Sequence, residues 1–289
     1  MLAFSILVAG SFALGGRVAN DVSPLVLTTM RFTIGAVLLS SIVVLQGSFQ
    51  RAYRQGVWRY LVMGSLMALY FVLMFEGLKT AKPVSMAAVF TLTPFIAAAF
   101  GWLLLRQITN GRIAAALFIG AIGALWVIFR GDLGRVLALD LGRGEAIFLI
   151  GVTAHALYTP LVPRLNRGEP ASVFTAGMLI GGSLLLWLYA WPEMRATDYA
   201  ALPAQVWWVL AYVSLAATAT TFFLLQYASF RLPAAKVMAY TYFTPSVVIL
   251  WEIALGGDAP KPVIFIGVAL CIIALLALLL QGREGGSRA

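Results

Sequence analysis

The residue types that do chemistry are scarce in this chain, and their positions limit what it can do. One histidine, His155, and one cysteine, Cys271, both stand in apolar runs. An HExxH pair, a Cys/His metal set and a disulfide framework are therefore excluded. Neither GxGxxG nor P-loop spacing occurs, so nothing cradles a nucleotide phosphate. No cofactor, no metal and no nucleic-acid partner is expected. Tyr158 follows His155 by three residues and shares its face on a helix. An imidazole that titrates near neutrality permits proton coupling. Arg31 cannot discharge, and Glu76 and Glu252 are the carboxylates within apolar runs that could balance it. A structural ion pair with one of these is the expectation, and capture of a substrate carboxylate or amine is the sharper alternative. Lys79, three residues from Glu76, competes for that carboxylate.

Pro94 and Pro245 each sit inside a long apolar run. Proline removes one backbone N–H and disturbs the carbonyl four residues earlier, here Phe90 and Thr241. In lipid, freed backbone groups survive only against protein or a water-filled cavity. A second group is aromatic and polar: Tyr70, Phe71 and Phe75, then Gln226 and Tyr227, then Tyr240, Tyr242 and Phe243. Tyrosine facing lipid would strand its hydroxyl, so Tyr70, Phe75, Tyr227, Tyr240 and Tyr242 are placed with His155 and Tyr158 around a central cavity. Gly177 and Gly181, four apart, fit close helix packing.

The elements that must position these residues follow from composition. The chain has 289 residues, 62% hydrophobic and 11% charged, with mean hydropathy +0.94. A soluble domain carries roughly 25% charged residues, so an all-α membrane protein is expected. About 20 helical residues cross a hydrocarbon core. Ten such runs appear: 2–19, 24–46, 57–78, 83–105, 111–129, 143–165, 170–191, 204–230, 233–256 and 261–281. The tryptophans fall toward run ends, where an amphipathic ring prefers the headgroup layer. With the N-terminus inside, eleven Lys and Arg residues fall in inner connections and eight in outer ones. The inner set includes Arg51, Arg54, Arg59 and Arg288, and the bias places both termini in the cytoplasm.

A weak internal repeat divides the chain. A shift of 151 lays Leu92-Thr93-Pro94 on Phe243-Thr244-Pro245, and a shift of 146 lays Ser23-Pro24 on Glu169-Pro170. Residues 1–135 form a first five-span unit, 141–282 a second, and 283–289 a short cytoplasmic tail. Five spans is an odd number, so the second unit enters the membrane from the opposite side, giving inverted repeats. Such repeats suit alternating access, and transport is the leading function.

Several strings together resemble the drug/metabolite transporter superfamily, in its ten-span branch of two EamA-type units. They are Ser23-Pro24 with Met30-Arg31-Phe32, the two Thr-Pro motifs, Gly101-Trp102-Leu103-Leu104-Leu105, and Ala156-Leu157-Tyr158-Thr159. His155 stands where that family often has Trp, and Arg106-Gln107 and Gly257-Asp258 stand where it often has Gly-Glu. Within the superfamily the chain looks most like the aromatic amino acid exporters of the YddG type. That resemblance implies export of amino acids, aromatic and other neutral ones, across a bacterial inner membrane by a multi-pass protein that requires no oligomer. Its partners would be the small-molecule substrate and membrane lipid. A broad drug or metabolite exporter of the same fold is the alternative. An intramembrane serine protease built on Ser183 and His155 is a remote one.

Overall fold

The computed structural model describes residues 1–48, 50, 55–108, 110–138 and 141–284. Arg51, Arg54, Asp140, Arg288 and the rest of the tail from 285 lie outside the described residues. Among the described residues the chain is helical with no strand. The helices are α1 Leu2–Val18, α2 Pro24–Leu45, α3 Trp58–Leu78, α4 Pro83–Phe90, α5 Thr93–Leu105, α6 Gly111–Ile128, α7 Leu133–Ala138 and α8 Arg143–Leu165. They continue with α9 Ala171–Ala196, α10 Ala204–Ala211, α11 Thr220–Ser229, α12 Ala234–Met238, α13 Thr244–Ala254 and α14 Ile264–Glu284. A π-helix, Tyr212–Ala219, joins α10 to α11, and a 3₁₀ turn, Ala239–Phe243, joins α12 to α13.

Eight helical stretches are long and apolar enough to cross a membrane, and Leu2–Val18 and Ile264–Leu279 are shorter apolar helices. The molecule is a multi-pass membrane protein. Local chemistry sets the helix starts. Ser23 caps α2 by accepting from Leu25 N, with Pro24 at the first helical position, and Asn110 accepts from Ile113 N at the start of α6. Two boundaries differ from the sequence expectation. Residues 130–143, taken as a connection, contain the short α7. The run 170–191 continues through Pro192 to Ala196, because a proline disturbs only the turn before it and that turn is near the helix end.

Helices from the two halves of the chain pack on each other. α3 lies against α8 and α9, α2 against α9 and the π-helix, α1 against α13, and α6 against α14. Glycines bring the backbones together. A Cβ at Gly64 would sit 2.3 Å from Gly182 N, and one at Gly123 would sit 2.7 Å from Gly267 O. Gly177 and Gly181 accommodate Tyr60, Gly181 so closely that a Cβ would lie 2.7 Å from the Tyr60 carbonyl.

Hydrogen bonds tie the halves at both ends of the bundle. At one end Arg17 donates to Leu255 O at 2.7 Å, Ser85 to Glu145 at 2.6 Å, and Ser23 to Glu193. At the other, Arg164 donates to Leu104 O at 2.7 Å, and Arg59 binds both Leu165 O and Glu169 at 2.6 Å. We call these the Arg17 end and the Arg59 end. Trp58, Trp102, Trp191, Trp207 and Trp208 are exposed. Trp126 and Trp187 instead donate to Val263 O and Thr33 Oγ1.

Candidate functional site

The two Thr-Pro motifs interrupt their helices at matching places. In the first half α4 stops at Phe90 and α5 restarts at Thr93. The Phe90 carbonyl loses the Pro94 N–H, and Thr93 Oγ1 donates to it at 2.5 Å; Thr91 does the same for Ala88 at 2.6 Å. In the second half the break is longer, a full 3₁₀ turn ahead of Pro245. Ser5 of α1 reaches across to donate to Tyr240 O at 2.6 Å. The hydroxyls of Thr241, Thr244 and Ser246 are buried without a partner. One break is repaired locally, and the other keeps unpaired polar atoms inside the bundle.

Beside the first break lies an aromatic cluster centred on His155. Its ring stacks on Tyr70 with centroids 4.6 Å apart, lies 5.4 Å from Phe90, and is nearly parallel to Tyr158 at 6.5 Å. Phe148 and Phe12 close the far side. The i to i+3 spacing on α8 puts Tyr158 beside His155, and Pro160 disturbs the same turn by withdrawing the N–H that Ala156 O would accept. His155 Nδ1 and Tyr158 Oη are buried with no hydrogen-bond partner. Buried polar groups of this kind are uncommon and call for an explanation.

Arg31 adjoins this cluster and corrects the expected ion pair. Its side chain is buried, its Cζ lies 3.7 Å from the Phe71 ring centroid, and its Nε donates to Thr218 Oγ1. Phe71 in turn packs on Tyr70 with centroids 4.6 Å apart. Neither candidate carboxylate reaches Arg31. Glu76 pairs with Lys79 at 2.7 Å, the cation at the C-cap of its own helix. Glu252, near the end of α13, lines a cavity of about 450 Å³ at the Arg17 end with Lys82, Arg130 and Lys261. Arg31 Nη1 is buried and unpartnered.

Thr218 stands in the π-helix and donates to Val213 O, five residues back, at 2.6 Å. Wider turns of this kind often mark functional sites. Tyr212 begins the π-helix and donates to Leu7 O at 3.0 Å, passing over Gly10, where a Cβ would lie 2.1 Å from its hydroxyl. Ser214, one turn before Thr218, is buried with a free hydroxyl. Sequence reasoning missed Thr218 and Ser214. The available signal was the density of Ser and Thr in the eighth apolar run: Ser214, Thr218, Thr220 and Thr221.

The remaining sequence candidates scatter. Phe75 is buried against Gly15 of α1. Tyr242 is buried against Gly120 and donates to Leu117 O at 3.1 Å, a packing role between α6 and the 3₁₀ turn. Tyr240 is partly buried and contributes its carbonyl to Ser5. Tyr227 does not face a closed interior: it is 48% exposed, with Arg231 stacked 3.7 Å over its ring. It lines a cavity of about 770 Å³ at the Arg59 end, which runs along α2 and α11 to Leu215 and Ala219 of the π-helix. Gln226 is fully buried, and both amide atoms lack partners. Ser183 Oγ and His155 Nδ1 each lack a partner, so the serine-protease pair does not form. No group of three metal-ligating side chains occurs among the described residues.

A helical, multi-pass molecule with interrupted helices in both halves and an enclosed polar-aromatic cluster has the build of a solute transporter. Residues 1–129 and 142–280 match the EamA-like transporter family, and the chain belongs to it. That family, part of the drug/metabolite transporter superfamily, consists of transporters and not enzymes. A solved crystal structure shares the fold with TM-score 0.74 at 20% identity, covering 98% of this chain and 96% of that one. No curated protein matches the chain.

Proposed function

We propose that the protein exports neutral amino acids, aromatic ones included, by alternating access across a bacterial inner membrane, with both termini in the cytoplasm. The observation that carries this is the His155 cluster: imidazole, phenol and guanidinium groups with unpaired polar atoms, set among aromatic rings beside the first helix break. A solute with an aromatic body and a polar head suits such a lining better than a phosphorylated one, which would need several deep cations.

Ten crossings in two inverted five-helix units, 1–135 and 141–282, fit the packing. Under the exchange of halves, α3 on α8 corresponds to the π-helix and α11 on α1, and α5 on α8 corresponds to α13 on α1; all four contacts occur. The two separate stretches matched by the family point the same way. Within the family the aromatic amino acid exporters are the members this chain is proposed to resemble in cargo. The test is uptake into proteoliposomes of labelled phenylalanine, threonine, a nucleotide sugar and a cationic dye, with and without a pH gradient. Saturable phenylalanine or threonine transport is expected, and acceleration by the gradient would add proton coupling. Transport of the dye alone would replace this proposal with a broad drug exporter.

A further inference from the structure

Arg31 is a permanent charge in the interior of the bundle, and what balances it bears on the cargo. Its Nε is held by the Thr218 hydroxyl and its planar face by Phe71. A hydroxyl and a ring leave the guanidinium without a counter-charge, and Nη1 is buried with no acceptor. The described carboxylates stand elsewhere. Glu145 accepts from Ser85 and Glu193 from Ser23, Glu76 pairs with Lys79, and Glu252 lies in the cavity at the Arg17 end. Glu169 is bound by Arg59 at the Arg59 end. An unpaired buried charge is among the costliest features a protein can hold, and a guanidinium fork is shaped to receive a carboxylate through two parallel N–H donors.

Three features make this a built site. The π-helix brings the Thr218 hydroxyl to Nε while keeping its own bond to Val213 O. Ser214, on that same π-helix, supplies a second buried hydroxyl without a partner. The cavity of about 770 Å³ at the Arg59 end is lined in part by Leu215 and Ala219 of the same π-helix, next in sequence to Ser214 and Thr218, which do not themselves line it.

Resting on the amino-acid assignment above and deepening it, we propose that Arg31, with Thr218 and Ser214, is the subsite for the cargo's carboxylate. The carboxylate is the group the transporter requires, and the α-amino group is dispensable. α2 and the π-helix carry no acidic residue, and Glu76 of α3 and Glu145 of α8 are held by Lys79 and Ser85, so none of these elements offers the cluster an ion-pair partner for an ammonium. Monocarboxylates with an aromatic or apolar body, amino acids among them, form the substrate class.

The test is direct binding to the purified full-length protein in detergent, with four probes of one shape: phenylalanine, 3-phenylpropionate, phenylalaninamide and phenethylamine. The two carboxylates are expected to bind. The amide and the amine should be weaker by about tenfold to a hundredfold, the weight of a charge-assisted hydrogen bond lost in a buried site. Arg31→Lys should retain part of the preference, and Arg31→Gln should erase it. The four-probe comparison on the unaltered chain stands even if Arg31→Gln fails to fold. Equal binding of the amide overturns the carboxylate subsite and leaves transport of amino-acid-like solutes in place. Binding of phenylalanine but not 3-phenylpropionate overturns the dispensable amine alone. Binding of none of the four overturns both this proposal and the amino-acid assignment.

Discussion

Arg59 and Glu169 meet at 2.6 Å with both side chains 1% exposed, joining the start of α3 to the connection between α8 and α9. Arg59 also donates to the carbonyls of Gly56, Leu165 and Gln55, and Glu169 accepts from Arg167 N and Tyr60 Oη. Burial alone would raise the Glu169 carboxyl, but the hydrogen bonds from Arg59 and Arg167 N–H hold it below its ordinary 4.5.

A carboxylate lowered in the folded state contributes stability that is fully present above its unfolded value. That stability is lost as pH falls through the folded value. Thermal unfolding in detergent should therefore show a loss below pH 4.5 that is missing from Glu169→Gln. At neutral pH, Glu169→Gln strands Arg59 and should cost about 3–5 kcal/mol. A Glu169→Gln protein with unchanged melting at pH 7 would remove the pair from any structural role.

Gly64 faces Gly182 N and Met178 O at distances no Cβ can occupy, 2.3 and 2.5 Å. Gly64→Ala should force α3 and α9 apart and cost about 1–3 kcal/mol. Gly111, at the start of α6 with open space around it, is the matched control. Gly111→Ala should be neutral or stabilising by about 0.5 kcal/mol. The difference in melting temperature between the two variants is the measurement.

Arg106 ends α5 in the left-handed region at φ 55°, a position that glycine holds without the Cβ penalty. Arg106→Gly should raise stability by about 0.5–1 kcal/mol. A lower melting temperature would mean that the side chain, whose Cζ is 5.9 Å from the Trp102 ring, contributes more than the backbone strain costs.

His155→Phe keeps the stacking on Tyr70 and removes Nδ1; Tyr158→Phe removes only a buried hydroxyl without a partner. Both variants should fold as the parent does. Each should weaken phenylalanine binding about tenfold if its polar atom meets the cargo. Unchanged affinity in both would make the cluster a packing core.

The helices were legible because lipid imposes one requirement, a long apolar turn-forming run, and apart from α7 and the internal breaks the described helices begin and end within about five residues of those runs. The Thr-Pro breaks were legible because proline has a fixed backbone consequence. Tyr227 and Tyr242 do not join the His155 cluster, for a different reason. In an apolar helix all faces look alike, so periodicity cannot separate one interior surface from another or from the lipid side, and Tyr227 lines the cavity at the Arg59 end under Arg231. Arg31 is a charge buried inside the bundle, and its partner was sought among carboxylates. The Thr218 hydroxyl became available only through a π-helix, which depends on helix packing across 187 residues of separation.

That separation sets a delay during synthesis. At roughly 5–20 residues per second, Thr218 leaves the ribosome about ten to forty seconds after Arg31. Until then the first half holds the Arg31 guanidinium against the Phe71 ring alone, and Arg59 at the start of α3 waits for Glu169. An assembly intermediate of α1–α6 is thus a charged, incompletely packed object in the bilayer.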